Sequence, residues 1–302
     1  MAARCISIDL GGTQVRVALL EGTQIIRRAS AMTALKGGPS SVLAQIDALI
    51  AEVCDGTDPK STAGIAIASA GPLDTEAGII LGIPTIQGWE NFPVRSVLAD
   101  RFGLPVFLEN DAIAAAFGEW RHGAGRGLQH MSYLTVGTGI GGGFVVDGRL
   151  IRGSKGMAGH VGHMRLSQDG PKCSCGALGC FEALASGSAF EARAAAQTSA
   201  VSAKRVFEGA RAGDPRCLSL VEQEASYLGQ GITSIIHLFS PEHVVMGGGL
   251  SQAFDLLEPG IHAVTRSEAM VPFKDVRVVQ AELGDNSGLV GAAAMMLERL
   301  SF

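Results

Sequence analysis

The sequence predicts an α/β protein of two domains, and three observations support this. The chain has 302 residues, more than a single hydrophobic core usually spans. Apolar residues make up 47% of it and charged residues 18%, which excludes a disordered chain and permits large buried cores. Short apolar runs repeatedly end in glycine or polar residues ahead of a helical stripe, as strands, turns and helices do in α/β folds.

The opening of the chain is predicted to form three strands joined by tight turns. The apolar, partly β-branched runs at residues 5–8, 15–20 and 24–28 are separated by segments that contain glycine. Apolar residues then recur at helical spacing from 42 to 53, after a Pro-Ser start, and this pattern predicts the first helix.

The rest of the chain repeats this pattern. The further predicted strands are 64–68, 106–108, 131–136, 144–146, 243–246 and 276–279, and the further predicted helices are 112–120 and 287–300. The passage 131–146 echoes the opening, and we expect its glycines 137, 139 and 141–143 to form the turn. No low-complexity linker separates the two halves, so the boundary is inferred near Asp111.

Charge and hydropathy exclude several classes of function. The chain carries 24 basic and 29 acidic residues, a net charge of −5, and no basic block, so a nucleic-acid-binding surface is not expected. Asp9 interrupts the first apolar run, and glycines break the longest uncharged stretch, so neither a signal peptide nor a membrane span is predicted. We expect a cytoplasmic protein with neither nucleic-acid nor membrane partners.

Glycine-rich turns follow three of the predicted strands, at Asp9-Leu-Gly-Gly-Thr13, within residues 135–143, and at Gly247 to Gly249. Without Cβ atoms, backbone amides can approach phosphate oxygens, and a carboxylate such as Asp9 can hold Mg²⁺ through water. One such turn would be an ordinary hairpin. Three of them, none with P-loop or dinucleotide-fold spacing, favour a nucleotide held between two domains.

Four soft metal ligands lie close together in the chain. His163, Cys173, Cys175 and Cys180 form the pattern H-x9-C-x-C-x4-C, which suits tetrahedral Zn²⁺. Because four protein ligands complete the coordination shell, the metal is expected to be structural. The alternative is a set of unrelated buried cysteines; a disulfide framework is not expected in a chain of this size.

Asp111 allows two interpretations when its position alone is considered. It follows a strand and begins a helix, so its carboxylate fits a helix N-cap. The same carboxylate fits a general base that takes a proton from an attacking hydroxyl. Glu109, His160 and Glu182 are equally ambiguous in isolation.

Taken in order, these motifs resemble the ROK family of sugar kinases and repressors. The matching segments are Asp9-x-Gly-Gly-Thr13, Glu109-Asn-Asp111, Thr135-x-Gly-Thr-Gly-x-Gly-Gly-Gly143, Gly159-His-Val-Gly-His163, Cys173-x-Cys-Gly-x-x-Gly-Cys-x-Glu182 and Gly247-Gly-Gly249. The resemblance implies an actin-like (ribonuclease H-like) two-domain sugar kinase fold, with ATP and sugar in the cleft, usually as a homodimer. The implied smaller N-terminal domain is 1–112 plus 288–302, and the larger one, with the zinc loop, is 113–287.

The resemblance also implies a role for each motif. Asp111 would deprotonate the sugar 6-hydroxyl for attack on the γ-phosphate of ATP, and Asp9 would serve Mg²⁺. The residues implied to face ATP are Gly11, Gly12, Thr13, Gly137, Thr138 and Gly139 at the phosphates, and Gly247, Gly248 and Gly249 beside the adenosine.

The residues implied to contact the sugar are Gly71, Asn110, His160, His163 and Glu182. His163 would bind zinc through one ring nitrogen and a sugar hydroxyl through the other, so that the metal fixes its tautomer.

Two positions depart from the pattern of many ROK glucokinases. His160 stands where they carry Glu, and this swap, with the Asp169-Gly-Pro171 segment, resembles bacterial N-acetylmannosamine kinases. Phosphorylation of N-acetylmannosamine to its 6-phosphate is therefore the expected reaction. Gln14 replaces the more usual Lys or Asn but keeps a hydrogen-bond donor.

Three alternatives stay open at this point, of which a catalytically inactive scaffold is disfavoured because Asp9, Asp111 and the glycine loops are all intact. Glucokinase or N-acetylglucosamine kinase activity is favoured if residues 84–91, including Trp89, leave no room for an axial N-acetyl group. A sugar-sensing repressor is disfavoured because such proteins add an N-terminal helix-turn-helix, whereas here Asp9 lies close to the start and the net charge is −5.

Overall fold

The computed structural model describes residues 3–83, 86–198 and 202–300. The chain divides into two compact units. The first unit comprises Met1–Arg126, Leu150–Ala158 and Asn286–Phe302, and the second comprises Gly127–Arg149 and Gly159–Asp285. These ranges differ from the expected 1–112, 288–302 and 113–287 mainly because the helix that begins at Asp111 packs against the C-terminal helix and so belongs to the first unit.

Both units are built from strands and helices in alternation. The strands are β1 (Arg4–Leu10), β2 (Gln14–Glu21), β3 (Gln24–Met32), β4 (Ile65–Ser69), β5 (Leu73–Asp74), β6 (Ile79–Ile80), β7 (Val106–Asn110), β8 (Met131–Val136), β9 (Ile140–Val146), β10 (Arg149–Ile151), β11 (His243–Gly247) and β12 (Arg277–Gln280). The helices are α1 (Gly38–Cys54), α2 (Val94–Phe102), α3 (Asp111–His122), α4 (Phe181–Ala185), α5 (Gly187–Gln197), α6 (Ala203–Arg211), α7 (Pro215–Phe239), α8 (Phe254–Glu268) and α9 (Ser287–Leu300).

The two main sheets have the same strand arrangement. The first sheet has the order β3-β2-β1-β4-β7, and the second has the order β10-β9-β8-β11-β12. In each sheet the central strand is antiparallel to the strand that follows it in the chain and parallel to the strand on its other side. The echo noticed in the sequence is therefore a repeated fold.

Each unit buries its own hydrophobic core. Ile8, Ile67 and Leu108 belong to the core of the first unit, and Phe181 and Ile232 to that of the second. In the first unit, α9 packs against β1, β4 and α3. Within residues 3–83, 86–198 and 202–300, none of the helices combines the length and the apolar character that crossing a bilayer requires.

The glycine run 141–143 differs from the expectation. The prediction that it forms part of the turn was wrong, because only residues 137–139 turn and Gly141 to Gly143 lie inside β9. Gly142 donates its N–H to Gly159 O at 2.8 Å, and a Cβ on Gly142 would lie 3.0 Å from a methyl group of Val161. The absence of side chains lets the segment that carries His160 lie directly on the strand.

Candidate active site

The parallel strands β1, β4 and β7 of the first unit end at one edge of the sheet. Leu10, Ser69 and Asn110 are in register there, and one residue earlier Asp9 and Glu109 flank Ala68 on the neighbouring strands. Because aligned residues on adjacent strands point to the same face, this row holds two carboxylates near the carboxyl ends of the strands. Ligands of open α/β sheets bind at this edge.

Asp9 is held by an arginine that sequence motifs did not mark. Arg16 lies opposite Asp9 in the β1–β2 hairpin, and its Nη1 donates to Asp9 Oδ2 at 2.9 Å. Burial raises the pKa of the Asp9 carboxyl to about 6; Arg16 opposes this rise, and the nearby Asp111 carboxylate adds to it. The hairpin register is the signal that could have paired these two residues.

Asn110 and Asp111 together form the start of α3. Asn110 is the N-cap, because its Oδ1 accepts the N–H groups of Ala112 and Ile113 at 3.1 and 3.2 Å. Asp111 is the first helical residue, and its Oδ1 accepts the Ala112 N–H at 2.8 Å. The capping interpretation left open for Asp111 thus applies chiefly to Asn110, and the Asp111 carboxylate is fixed at the positive end of the helix dipole.

The other predicted residues of the first unit lie in backbone turns. Gly11 donates its N–H to Gln14 O at 3.1 Å and its carbonyl accepts the Thr33 hydroxyl at 2.8 Å, so the turn 11–14 is closed on both sides. Gly71 follows β4 and forms a cis peptide bond with Pro72.

Residues 84–91 were considered as a possible wall of the sugar pocket, but Trp89 of this segment lies in the core. Trp89 is fully buried in the core of the first unit, where its ring lies 4.6 Å from that of Phe92. Trp89 is therefore a core residue, not a pocket wall. Pro84 and Thr85 lie outside the described residues.

In the second unit the turn between β8 and β9 contacts Glu182. Glu182 Oε2 accepts the Ile140 N–H at 3.0 Å, and a Cβ on Gly139 would lie 2.5 Å from the same oxygen. Gly137 has open space where a Cβ would be. The turn residues 137–139 and the Glu182 carboxylate are thus adjacent, a contact that the sequence motifs did not predict.

The predicted zinc ligands come together in the second unit. One ligand atom from each of His163, Cys173, Cys175 and Cys180 lies within 4.8 Å of all the others. His163 Nδ1 lies 3.5 Å from Cys173 Sγ, and the Sγ atoms of Cys175 and Cys180 are 3.6 Å apart. Three thiols and one imidazole in this arrangement fit tetrahedral Zn²⁺, and Nδ1 is the ring nitrogen of His163 that faces the thiols.

The predicted zinc ligands are directly linked to the predicted sugar ligands. Glu182 lies two residues after Cys180, and its Oε1 accepts the Ser174 hydroxyl from the cysteine loop at 3.4 Å. The rings of His160 and His163 are stacked with centroids 6.3 Å apart. Both imidazoles are exposed, so His163 can bind the metal with Nδ1 and present Nε2 outward.

Gly247, Gly248 and Gly249 lie where β11 ends and a short 3₁₀ helix begins. Gly248 has a φ of 84°, and a Cβ there would lie 2.5 Å from Val136 O. Only glycine fits this position, because the backbone of β8 is in contact with it.

The sequence profile of the ROK family matches residues 5–299. The chain belongs to the ROK family. It is 35% identical to a glucokinase of Thermotoga maritima over 98% of both chains, and 32% identical to an N-acetylmannosamine kinase of Citrobacter koseri over 96% of this chain and 97% of that one.

A ROK family glucokinase from Streptomyces griseus, solved in complex with glucose and AMPPNP, superposes with a TM-score of 0.87. The two chains are 32% identical, and the match covers 97% of this chain and 98% of that one. These similarities confirm the predicted family, the actin-like fold and the class of enzyme, a sugar kinase.

Proposed function

We propose that this ROK protein transfers the γ-phosphoryl group of ATP to the 6-hydroxyl of a hexose, with Asp111 as the general base. The observation that carries the proposal is the β7–α3 junction. There the Asp111 carboxylate is fixed by the Ala112 N–H at the edge where three parallel strands end, close enough to Asp9 for the two charges to interact.

Phosphoryl transfer requires the protein mainly to position the two substrates and to supply one proton acceptor. Phosphoryl transfer has a loose transition state, so the enzyme gains most by orienting the acceptor hydroxyl in line with the phosphate. One Asp111 oxygen is fixed by the helix, and the carboxylate takes the hydroxyl proton as the new P–O bond forms. Such general-base assistance contributes about 10²–10⁴ to the rate.

Asp9 suits the cation, and the glycine turns suit the nucleotide. A buried carboxylate that keeps an arginine partner and a second carboxylate nearby is the donor type that Mg²⁺ binds. When bound, Mg²⁺ neutralises charge on the phosphates. The turns formed by Gly11, Gly12 and Thr13 and by residues 137–139 face the phosphate oxygens in this proposal, and Gly247 to Gly249 border the adenosine. The N–H groups of Gly11 and Gly137 close these turns, because they donate to Gln14 O and Gly139 O.

Zinc and the sugar ligands act together in this proposal. His163, Cys173, Cys175 and Cys180 hold a structural Zn²⁺ that orders the loop. With Nδ1 committed to the metal, His163 has one tautomer, and Nε2–H donates to a sugar oxygen. Glu182 accepts hydrogen bonds from sugar hydroxyls, and His160 accepts from or donates to them. The amide of Asn110, which takes no part in the helix cap, and the backbone at Gly71 are the other proposed sugar contacts.

N-acetylmannosamine is the sugar we propose first. A neutral imidazole at 160 accepts one hydrogen bond where Glu would accept several, and its N–H can donate to a carbonyl such as that of an N-acetyl group. The 32% identity to an N-acetylmannosamine kinase supports this choice.

Glucose is the second candidate. The 35% identity to a glucokinase favours it, as does the likeness to a structure that holds glucose and AMPPNP. His160 is the residue expected to discriminate between the two sugars, so it is the position to vary.

A coupled assay of ADP release separates the candidates. We expect kcat/KM to be highest for N-acetylmannosamine among N-acetylmannosamine, N-acetylglucosamine, glucose and mannose, and His160→Glu to shift the preference toward glucose. His122→Glu, a histidine outside the sugar ligands, is the matched control. If wild-type protein prefers glucose, the second candidate replaces the first; if no sugar stimulates ADP release, the kinase proposal fails. The homodimer stays a prediction for light scattering to check.

A further inference from the structure

A loop of the first unit leads directly to the segment that carries His160. This loop, residues 152–158, closes on itself because the Ala158 N–H donates to Arg152 O at 2.9 Å. Gly159 and His160 are the next two residues of the chain. The position of the loop therefore determines where the chain enters the proposed sugar-binding segment.

One side of the loop is tied to the β5 region. Thr75 donates both its N–H and its hydroxyl to Lys155 O, each at 3.2 Å, and Lys155 Nζ lies 3.5 Å from Asp74. A Cβ on Gly156 would lie 2.4 Å from the Thr75 hydroxyl oxygen, so the backbone of Gly156 lies directly against the Thr75 side chain. These contacts hold the middle of the loop but leave its beginning to another anchor.

That anchor is Arg152, which reaches the strand that ends in the proposed base. Its Nη2 lies 2.6 Å from Oε2 of Glu109, whose side chain is fully buried, whereas that of Arg152 is 39% exposed. Glu109 Oε1 accepts the N–H of Asn110 at 3.0 Å. A single carboxylate thus joins the loop to the backbone of the β7–α3 junction.

A buried carboxylate is costly unless it is paired, and a well-packed apolar pair of similar size usually stabilises a fold as well or better. Burial raises the pKa of Glu109, and Arg152 opposes that rise. Stability alone therefore gives little reason for a charged pair here, whereas its link from the loop that precedes His160 to the backbone of Asn110 does.

We propose that Glu109 and Arg152 form a positioning pair for sugar binding, which fixes the loop from which His160 emerges to the strand that ends in Asn110 and Asp111. This rests on the proposed function. Neither residue contacts substrate; both act through the backbone elements they join, so removal of the pair should weaken sugar binding more than ATP binding.

The test compares Arg152→Met with the double variant Glu109→Gln/Arg152→Met. Arg152→Met leaves an unpaired buried carboxylate and should lower the Tm, whereas the double variant removes the charge and should recover it. We expect the sugar KM to rise by about tenfold in both variants, since small displacements of positioning groups have effects of this order or larger, and the ATP KM to change by less than about twofold. Arg152→Lys, which keeps the charge, should recover part of the sugar KM.

Arg101→Met is the matched control, because it removes an exposed ion pair with Asp47 in the same unit. It should leave both KM values unchanged. Recovery of the sugar KM together with the Tm in the double variant would show that the pair is only structural and overturn the inference, as would a parallel rise in the ATP KM. If Arg152→Met does not fold, the double variant and Arg152→Lys decide alone. Absence of sugar-stimulated ADP release in wild-type protein is a different result, which refutes the proposed function instead.

Discussion

The turns that follow the central strands of the two sheets have the same place in the fold but different chemistry. In the first unit Leu10 pairs with Val15 around residues 11–14, and in the second Val136 pairs with Ile140 around residues 137–139. One position before the turn, the first unit has Asp9 opposite Arg16, whereas the second has Thr135 opposite Gly141.

The outer parallel strands differ in the same way. β7 ends at Asn110 and is followed by the Asp111 carboxylate, while β12 ends at Gln280, whose amide donates to Ser251 O at 2.6 Å. The second unit takes its carboxylate, Glu182, from a helix that follows the predicted zinc ligands. The repeated sheet therefore does not repeat the chemistry: we expect changes at Asp9 and Asp111 of the first unit to lower turnover, and changes at the cysteine cluster and Glu182 of the second to weaken sugar binding.

The largest expected effect comes from replacing Asp111 in the first unit. Asp111→Ala removes the proposed proton acceptor and should lower kcat by about 10²–10⁴, with little change in the binding of ATP or sugar. Steady-state kinetics and calorimetric titration measure the two separately. Asp100→Ala, an exposed aspartate on α2, should behave like wild type. Near-normal turnover of Asp111→Ala would remove Asp111 from the mechanism.

The next largest effect is expected at the cysteine cluster of the second unit. Cys175→Ser removes an exposed ligand of the metal cluster, so it should abolish stoichiometric zinc without opening a core cavity. Because the proposed sugar ligands lie on the loop that the zinc would order, the sugar KM should rise by about 10–100-fold and the ATP KM by much less. Elemental analysis gives the zinc content, and Cys54→Ser, outside the cluster, should retain the metal. Normal kinetics in a zinc-free protein would contradict this.

A pH profile tests the charged turn of the first unit. The pKa of Asp9 is raised to about 6, so the carboxylate is protonated as pH falls through that value, and kcat/KM at limiting Mg²⁺ should fall by about tenfold at pH 5. Arg16→Met removes the opposing charge and should move this limb to higher pH.

Ionisation of Asp9 is expected to lower stability, whereas it raises activity. The folded protein binds this proton more tightly than the unfolded chain, whose pKa is near 3.8, so Asp9 lowers the free energy of unfolding as pH rises from there through about 6. Comparing the pH dependence of unfolding in wild type and Asp9→Asn isolates this contribution.

The activity prediction has its own contradicting outcome. If kcat/KM falls at the same pH in Arg16→Met and in wild type, a group other than Asp9 controls the fall in activity.

The smallest expected effect is a difference between two glycines of the turn that joins β8 and β9. A Cβ at Gly139 would lie 2.5 Å from Glu182 Oε2, whereas a Cβ at Gly137 meets open space in the protein. Gly139→Ala should therefore displace the Glu182 carboxylate and raise the sugar KM roughly five- to tenfold, and Gly137→Ala should not. Equal sugar KM values in the two variants would separate Glu182 from sugar binding.

Sequence patterns predicted the elements whose signal is local. Helical periodicity marked α1, and polar or glycine residues at strand ends marked the edge that carries Asp9, Asn110 and Asp111. The glycines of β9 misled the prediction, because glycine in a strand that another segment overlies cannot be told from glycine in a turn without tertiary structure.

The ion pairs depend on tertiary structure even more. Asp9 with Arg16 requires the hairpin register, and Glu109 with Arg152 joins residues far apart in the chain through a loop that no motif marks. The clustering of His163, Cys173, Cys175 and Cys180 was easier to predict, since the four residues lie within one short segment and three of them are thiols.

The identity of the product tests the central claim most directly. Wild-type protein incubated with ATP, Mg²⁺ and N-acetylmannosamine should yield a sugar phosphate whose phosphorus couples to the two protons on C6 in NMR spectra, and Asp111→Ala should yield almost none. Phosphate at the anomeric hydroxyl, or ADP formed without any sugar phosphate, would contradict the account.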